Sequence, residues 1–290
     1  EDAATNRTTY AYDPATGRSI SATDALGHAS YSSYSSHGQV EKTWGAGTYP
    51  VSYAFDEFDR MTAMSTYRGG NGWEGSTWPT NAGTADVTTW LYDPATGLLT
   101  NKLYADGKGT AYSYTPDGKL ATRTCSRTVG AVPPNGDPLV TMYLYDSAGS
   151  LTNLVYTGTN TPPVAFAYDR LGRQSAITDG TGIRAFTYDA FLQLASEKTA
   201  LGTINRGYDS LGRPNALALV KGGANSAPSY QVAYAFDGLG RPSTVSWSNT
   251  VATALRAVSY SYLENSDLIA GLTETSGALS IFRSYEPHRD

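Results

Sequence analysis

The sequence predicts an all-β fold in which tandem β-hairpins form a continuous, coiled antiparallel sheet with almost no helix. Three observations carry this prediction: an aromatic–Asp…Gly phrase recurs along the chain, aromatic residues pair two positions apart, and the composition is rich in turn residues, with 30 glycines and 14 prolines. A short unit repeated at near-constant spacing is typical of repeat proteins, in which each unit contacts its neighbours. We therefore expect the hairpins to stack in chain order into a twisted sheet.

Each copy of the phrase reads as the end of a strand followed by a turn. One copy is Tyr168-Asp169-Arg170-Leu171-Gly172-Arg173, and its Asp is placed to accept hydrogen bonds from backbone N–H groups two residues on. Its Gly supplies positive φ without strain. The residues assigned in this way to structural turns are Asp13, Asp93, Asp146, Asp169, Asp189, Asp209, Asp237, Gly17, Gly97, Gly149, Gly172, Gly212 and Gly240.

The segment before each turn is predicted to be a strand because aromatic residues occupy positions i and i+2. This spacing places both rings on one face of a strand, whereas a helix would separate them by about 200°. The pairs are Tyr10/Tyr12, Tyr53/Phe55, Trp90/Tyr92, Tyr112/Tyr114, Tyr143/Tyr145, Phe166/Tyr168, Phe186/Tyr188, Tyr234/Phe236 and Tyr260/Tyr262.

A second strand follows each turn, so that one repeat is a hairpin of about 20 residues. Residues 1–290 are predicted to form a single array of about ten to eleven such hairpins. Enlarged loops are expected at four hairpin ends where the spacing between repeats is longer, near 68–86, 126–138, 157–163 and 221–228.

The overall composition excludes several classes of protein. The net charge is −5 and there is no basic run, so binding to nucleic acid or to an anionic membrane surface is not expected. No run of 18 apolar residues is present, so no membrane-spanning helix is predicted. Cys125 is the single cysteine and cannot form an internal disulfide. The chain begins at Glu1 without a signal peptide, which we interpret as a piece of a longer protein.

No catalytic, cofactor-binding or metal-binding set is predicted. Turn capping accounts for the repeated Asp residues, and the repeated Arg residues are expected to pair with carboxylates of neighbouring hairpins or to stack on Tyr rings. The densest acidic segment, Asp56 to Arg60, is a weak candidate for Ca²⁺ because it matches no known calcium-loop pattern. The scattered His28, His37 and His288 do not give zinc spacing.

The glycine-rich segment that holds Trp73 and Trp78 is the best candidate for recognition. Exposed Trp side chains in such a loop suit sugar stacking or protein contact. The alternative is that both rings fold back and cover an open end of the sheet, and we favour this alternative.

The phrase Tyr-Asp-x-x-Gly-Arg, followed about ten residues later by a second Asp-x-x-Gly, resembles the YD repeats of rearrangement-hotspot (Rhs) proteins. Thr23-Asp24-Ala25-Leu26-Gly27 after Tyr12-Asp13 matches the second half of the repeat. The same signature occurs in Tc-toxin shell subunits, wall-associated proteins and teneurins. The resemblance extends from about Tyr10 to Tyr285 and implies part of a hollow β-shell, while an open solenoid is the alternative arrangement. The Pro-x-x-x-x-Asp-Pro-x-Gly core motif of Rhs toxins is absent from this sequence.

The first functional expectation is therefore a non-enzymatic shell segment that encloses or displays cargo in a large secreted or cell-surface bacterial protein. Its partners would be flanking shell repeats or an enclosed polypeptide. The second expectation is an extracellular adhesion module that forms fibres by head-to-tail self-association or binds glycans. An enzyme such as an autoprotease or glycosidase is the third and least favoured.

Overall fold

A computed structural model describes residues 6–129, 137–157, 160–221, 228–249 and 256–285. The described residues contain no helix and form antiparallel strands, which confirms the predicted all-β fold. The chain divides into two compact units. Unit 1 comprises Glu1–Tyr143 and Val155–Asn160, and unit 2 comprises Leu144–Leu154 and Thr161–Asp290.

The first twelve strands are β1 Thr9–Tyr12, β2 Ser19–Thr23, β3 Ala29–Tyr34, β4 Val40–Gly45, β5 Thr48–Phe55, β6 Met61–Asn71, β7 Asn81–Tyr92, β8 Leu99–Leu103, β9 Gly109–Tyr114, β10 Leu120–Val129, β11 Asp137–Tyr145 and β12 Leu151–Tyr156. The remaining strands are β13 Val164–Tyr168, β14 Gln174–Asp179, β15 Gly182–Tyr188, β16 Leu194–Thr199, β17 Gly202–Tyr208, β18 Pro214–Val220, β19 Tyr230–Phe236, β20 Pro242–Asn249, β21 Arg256–Tyr262, β22 Ile269–Glu274 and β23 Ser280–Phe282. All nine predicted aromatic pairs lie within strands.

Within each unit, every described strand pairing joins neighbours in the chain, as β14 with β13 and β15. The pairings of the described strands do not bring the first and last strands of either unit together. The strand pairing therefore describes an open sheet and gives no evidence of the predicted coiling. A β-bulge recurs at the end of the regular hairpins. In β13 and β14, for example, Ala167 opposes Ala176 but the adjacent Tyr168 opposes Gln174, which leaves Ser175 as the extra residue.

The hairpin formed by β6 and β7 corrects the predicted loop at 68–86. Its strands continue to Asn71 and from Asn81, so the connection is only residues 72–80, hereafter the Trp loop. Gly69 and Gly83 face each other in the ladder with φ of 70° and 103°, and this backbone freedom lets the pairing continue. The loop predicted at 126–138 is likewise shortened by β10 and β11. Residues 130–136, 158–159 and 222–227, which fall in the other three predicted loops, lie outside the described residues.

The two faces of the sheet in unit 2 differ in side-chain size. Directly paired residues of an antiparallel sheet point to the same face, so each row of register partners describes one face. One row carries large side chains: Arg206, Leu217, Val232, Trp247 and Arg256. The row beside it, on the opposite face, carries small ones: Gly207, Ala216, Ala233, Ser246 and Ala257.

Few side chains are fully buried in the described part of the chain. Trp44, Val220 and Ala257 are 5–7% exposed, and Pro50 is the large side chain with less than 2% exposure. A single sheet has no second layer to cover its faces. Contacts along the ladder and between successive hairpins must therefore supply most of the stability.

Candidate functional site

The repeated turn is built around its Asp side chain. In the turn after β13, Asp169 Oδ1 accepts hydrogen bonds from the backbone N–H groups of Leu171 at 2.8 Å and Arg173 at 3.0 Å. The backbone closes the same turn, since Asp169 N–H donates to the Arg173 carbonyl and Gly172 N–H donates to the Asp169 carbonyl. Gly172 has a φ of 77°. These bonds end the strand and start the next one within four residues.

The other assigned turn residues adopt equivalent roles. Each of the seven Asp side chains accepts at least one backbone N–H from its own turn. The six glycines have φ between 69° and 84°. The turns after Asp13 and Asp93 contain one extra residue and a Pro, and there the Asp accepts from the second and third following residues.

The Arg that ends the phrase binds the Asp of its own turn. Arg173 donates from Nε at 2.7 Å and Nη2 at 2.6 Å to Asp169 Oδ2, and the guanidinium stacks on the Tyr188 ring of the next hairpin at 4.1 Å. Of the two expected contacts, Arg173 makes the stacking. The carboxylate that it binds belongs to its own turn, whereas Arg241 also lies 3.7 Å from Asp267 of the next hairpin. The five-residue turn places Asp and Arg side by side, so the nearest carboxylate is the local one. Arg213 and Arg241 repeat both contacts.

The hydroxyl of the repeated Tyr makes a second connection that the sequence alone did not reveal. Tyr188 Oη donates at 2.8 Å to the carbonyl of Gln174, the first residue of the second strand in the preceding hairpin. The same bond recurs eight times in the described residues, at 2.6–3.0 Å. The donors are Tyr34, Tyr92, Tyr114, Tyr168, Tyr188, Tyr208, Tyr262 and Tyr285.

Together these contacts form what we call the turn relay: Asp169 holds Arg173, Arg173 stacks on Tyr188, and Tyr188 binds the carbonyl of Gln174. The Arg173 side chain, followed by backbone N–H groups, lowers the pKa of Asp169 against the opposing effect of desolvation. Both oxygens of this carboxylate already accept hydrogen bonds within the turn. This arrangement suits a structural role and not general acid or base chemistry.

Both candidate recognition residues make contacts with the sheet. Trp78 packs edge-on against Trp44 and Tyr67, each with ring centroids 5.6 Å apart, and the Lys42 ammonium lies 5.2 Å from its ring. Trp73 meets Tyr49 edge-on at 5.6 Å. The Trp loop is tied down further by a 3.0 Å hydrogen bond from Trp44 Nε1 to the Gly75 carbonyl.

A small pocket remains beside Trp73. It is lined by the segment 45–49 and by Trp73 and Glu74, with a volume of about 340 Å³. The indole N–H of Trp73 is buried and has no hydrogen-bond partner, while Tyr49 is 71% exposed. An unpaired buried donor is costly, and a polar partner that reached it through a small shift of the Trp loop would remove that cost.

Two carboxylates of the acidic segment at 56–60, Asp56 and Asp59, are paired with nearby side chains. Asp56 binds Arg60 in the same way as the other turns, and Asp59 lies 2.7 Å from Nδ1 of His37. Across the described ranges, no group of three or more His, Cys, Asp or Glu side chains converges to hold a metal ion. The same ranges contain no helix that could span a membrane.

This chain resembles known proteins in structure but matches none of the family models or curated proteins in sequence. The crystal structure of TcdB2-TccC3 without its hypervariable C-terminal region aligns with a TM-score of 0.56 and 14% identity over 91% of this chain. The TcdB2-TccC3-Cdc42 structure gives 0.57 and 14% over 91%, and TcdB2-TccC3 itself gives 0.51 and 14% over 92%.

These likenesses show a shared fold with Tc-toxin chains. This chain spans 16–18% of the length of those proteins. The comparison therefore supports the antiparallel β architecture that the repeat predicted.

Proposed function

We propose that this chain is a length of wall in an Rhs/YD-repeat shell, a non-enzymatic part of a large secreted or cell-surface bacterial protein that encloses or displays cargo. The observation that carries the proposal is the turn relay, which links successive hairpins side by side and leaves the sheet faces open. Flanking shell repeats and the enclosed polypeptide would be its partners. The structural likeness to TcdB2-TccC3 chains supports this assignment.

Electron microscopy of the longest natural protein that contains this chain tests the proposal. A hollow particle with residues 6–285 in a wall one sheet thick is the expected result. A solid domain without an internal cavity would overturn the proposal. A matched measurement on the isolated chain, cleavage by a nonspecific protease, would show whether the sheet folds without its flanks.

The second candidate function is glycan contact at the Trp loop. It is favoured by one observation, the buried and unpaired Trp73 indole N–H beside exposed Tyr49. A glycan array probed with the chain and with Trp73→Phe tests it, because Phe keeps the ring and removes the donor. Binding that Trp73→Phe weakens would support the candidate, and an array without hits would exclude it.

Self-assembly is the remaining alternative, because β1 and β23 each have a single partner strand among the described residues. Unpaired strand edges are templates for pairing with another chain. Light scattering over a range of protein concentrations separates this role from the others. A monomer at every concentration would exclude head-to-tail fibres.

A further inference from the structure

A groove on the large-residue face of unit 2 coincides with a departure from the repeat. Arg206 lies two residues before the anchor Tyr208, where neighbouring repeats of the unit carry an aromatic ring. Those rings are Phe166, Phe186, Tyr234 and Tyr260. The places where a repeat breaks its own pattern are the places where function is expected.

The groove has a volume of about 530 Å³ and mostly apolar walls. Its lining includes Arg206, Tyr208, Leu217, Tyr234, Val245 and Tyr260. Aromatic and aliphatic walls with a few polar groups, in a space of this size, are typical of sites for small organic molecules. Tyr234 is 37% exposed, so the site is open to solvent.

One carboxylate beside the groove is shared between two arginines. Glu197 lies between two arginines, 3.3 Å from Arg184 Nε and 3.4 Å from Arg206 Nη2. Arg206 therefore shares its carboxylate partner with Arg184 and holds it through a single contact of 3.4 Å. Nη1 of Arg206 is buried and has no hydrogen-bond partner. The Arg206 side chain as a whole is 28% exposed, so the guanidinium can offer a charge-assisted hydrogen bond to an anion in the groove.

We propose that this groove binds a small organic anion with a flat aromatic body and one carboxylate. The aromatic body would lie against Tyr234 and Tyr260, and the carboxylate would bind the Arg206 guanidinium. This site is independent of the shell proposal, because it requires only the fold of unit 2. Sugars fit less well, because their many hydroxyl groups would face apolar walls.

Fluorescence titration of the whole chain with naphthalene-2-carboxylate and with the neutral 2-naphthylmethanol, at 150 mM salt, tests the proposal. We expect saturable binding, with the carboxylate at least tenfold tighter than the alcohol. Arg206→Gln should remove that preference, so that the two compounds bind with similar affinity. Arg170→Gln, an equal loss of charge in an exposed turn of the same unit, should leave both affinities unchanged.

Val245→Trp provides a second variant that does not depend on the arginine. The larger ring should fill the groove and abolish binding of both compounds, while circular dichroism reports whether the sheet is intact. Equal affinity for the two compounds, no saturable binding, or an equal effect of Arg206→Gln and Arg170→Gln would each overturn the proposal. Binding of extended apolar peptides in place of both compounds would also overturn it.

Discussion

The regular hairpins of unit 2 and the Trp44 region of unit 1 are stabilised by different interactions. Around Arg173, polar groups connect one turn to the next and nearly every side chain keeps some solvent contact. Around Trp44, the Trp loop covers one part of the sheet, where Trp44 is 6% exposed and stacks on Tyr31 with ring centroids 5.7 Å apart. A single-layer sheet can thus rely on the turn relay where connections are short. It acquires a small buried core where a connection is long enough to fold back.

Acid is expected to have the largest effect, because it acts on many turns of both regions at once. The pKa values of Asp169 and Asp209 lie below the ordinary 3.8, because of the Arg173 side chain for Asp169 and the backbone N–H of Arg213 for Asp209. Groups with a lowered folded pKa contribute their full stability above pH 3.8 and lose it as the pH falls through the folded value. The urea midpoint should therefore be constant near neutrality and fall steeply below pH 4.

The same unfolding measurement can be restricted to the regular hairpins of unit 2. Trp247 is the tryptophan of unit 2, so its fluorescence in a variant with Phe at the other four tryptophan positions reports the regular hairpins. Asp169→Asn should reduce the acid dependence seen by this probe. A midpoint that stays constant down to pH 2 would contradict the role given to the turn carboxylates.

Removal of the Trp44 side chain should have the largest effect of any single substitution. Trp44→Ala leaves a cavity under the Trp loop and removes the hydrogen bond to Gly75, so we expect a loss of about 3 kcal/mol in the free energy of unfolding. Trp44→Phe keeps most of the packing and should cost less. Urea unfolding followed by circular dichroism measures both, and a loss below about 1 kcal/mol for Trp44→Ala would show that this core is not important.

The Tyr hydroxyl bonds predict a smaller effect in the regular hairpins. Tyr188→Phe removes the bond to the Gln174 carbonyl and should cost about 1 kcal/mol. The natural counterpart is Phe236, whose ring has no hydroxyl for the equivalent carbonyl of Pro214. Phe236→Tyr should therefore stabilise the chain by about 0.5 kcal/mol. Thermal unfolding of the two variants checks the opposite signs, and shifts of the same sign would count against the relay.

The smallest effect concerns a turn that lacks the usual glycine. Leu192 occupies the Gly position of its turn with a φ of 69°, a conformation that costs a non-glycine residue about 1 kcal/mol. Leu192→Gly removes this strain, and part of the gain is offset by the entropy of Gly, so we expect stabilisation of about 0.5 kcal/mol. Gly172→Ala, the reverse change in the preceding regular turn, should destabilise. A destabilised Leu192→Gly would mean that the exposed Leu192 side chain makes an important contact.

Much of this architecture could be predicted from the sequence, because it depends on local chemistry. The Asp and Gly positions of the turns and the strand positions of the aromatic pairs follow from spacing alone. The partner of the Tyr188 hydroxyl does not, because it depends on the bulge that sets the register between hairpins. The preference of the anchor position for Tyr over Phe was the available signal.

Neither the burial of Trp44 nor the groove beside Arg206 follows from local spacing. Trp44 lies in β4, away from the repeated turn positions, and its burial depends on a loop about 30 residues away. The groove beside Arg206 arises from side chains of five strands that only the register brings together. Sequence spacing cannot report such contacts, although the missing aromatic ring before Tyr208 marks the position.

A double-mutant cycle on Arg173 and Tyr188 tests most directly whether the relay joins neighbouring hairpins. Arg173→Ala, Tyr188→Leu and the double variant are compared by urea unfolding. The Arg173 guanidinium carbon lies 4.1 Å from the centre of the Tyr188 ring, so we expect a coupling energy of about 1 kcal/mol. Effects that add to within about 0.3 kcal/mol would show that the hairpins are not joined through this contact.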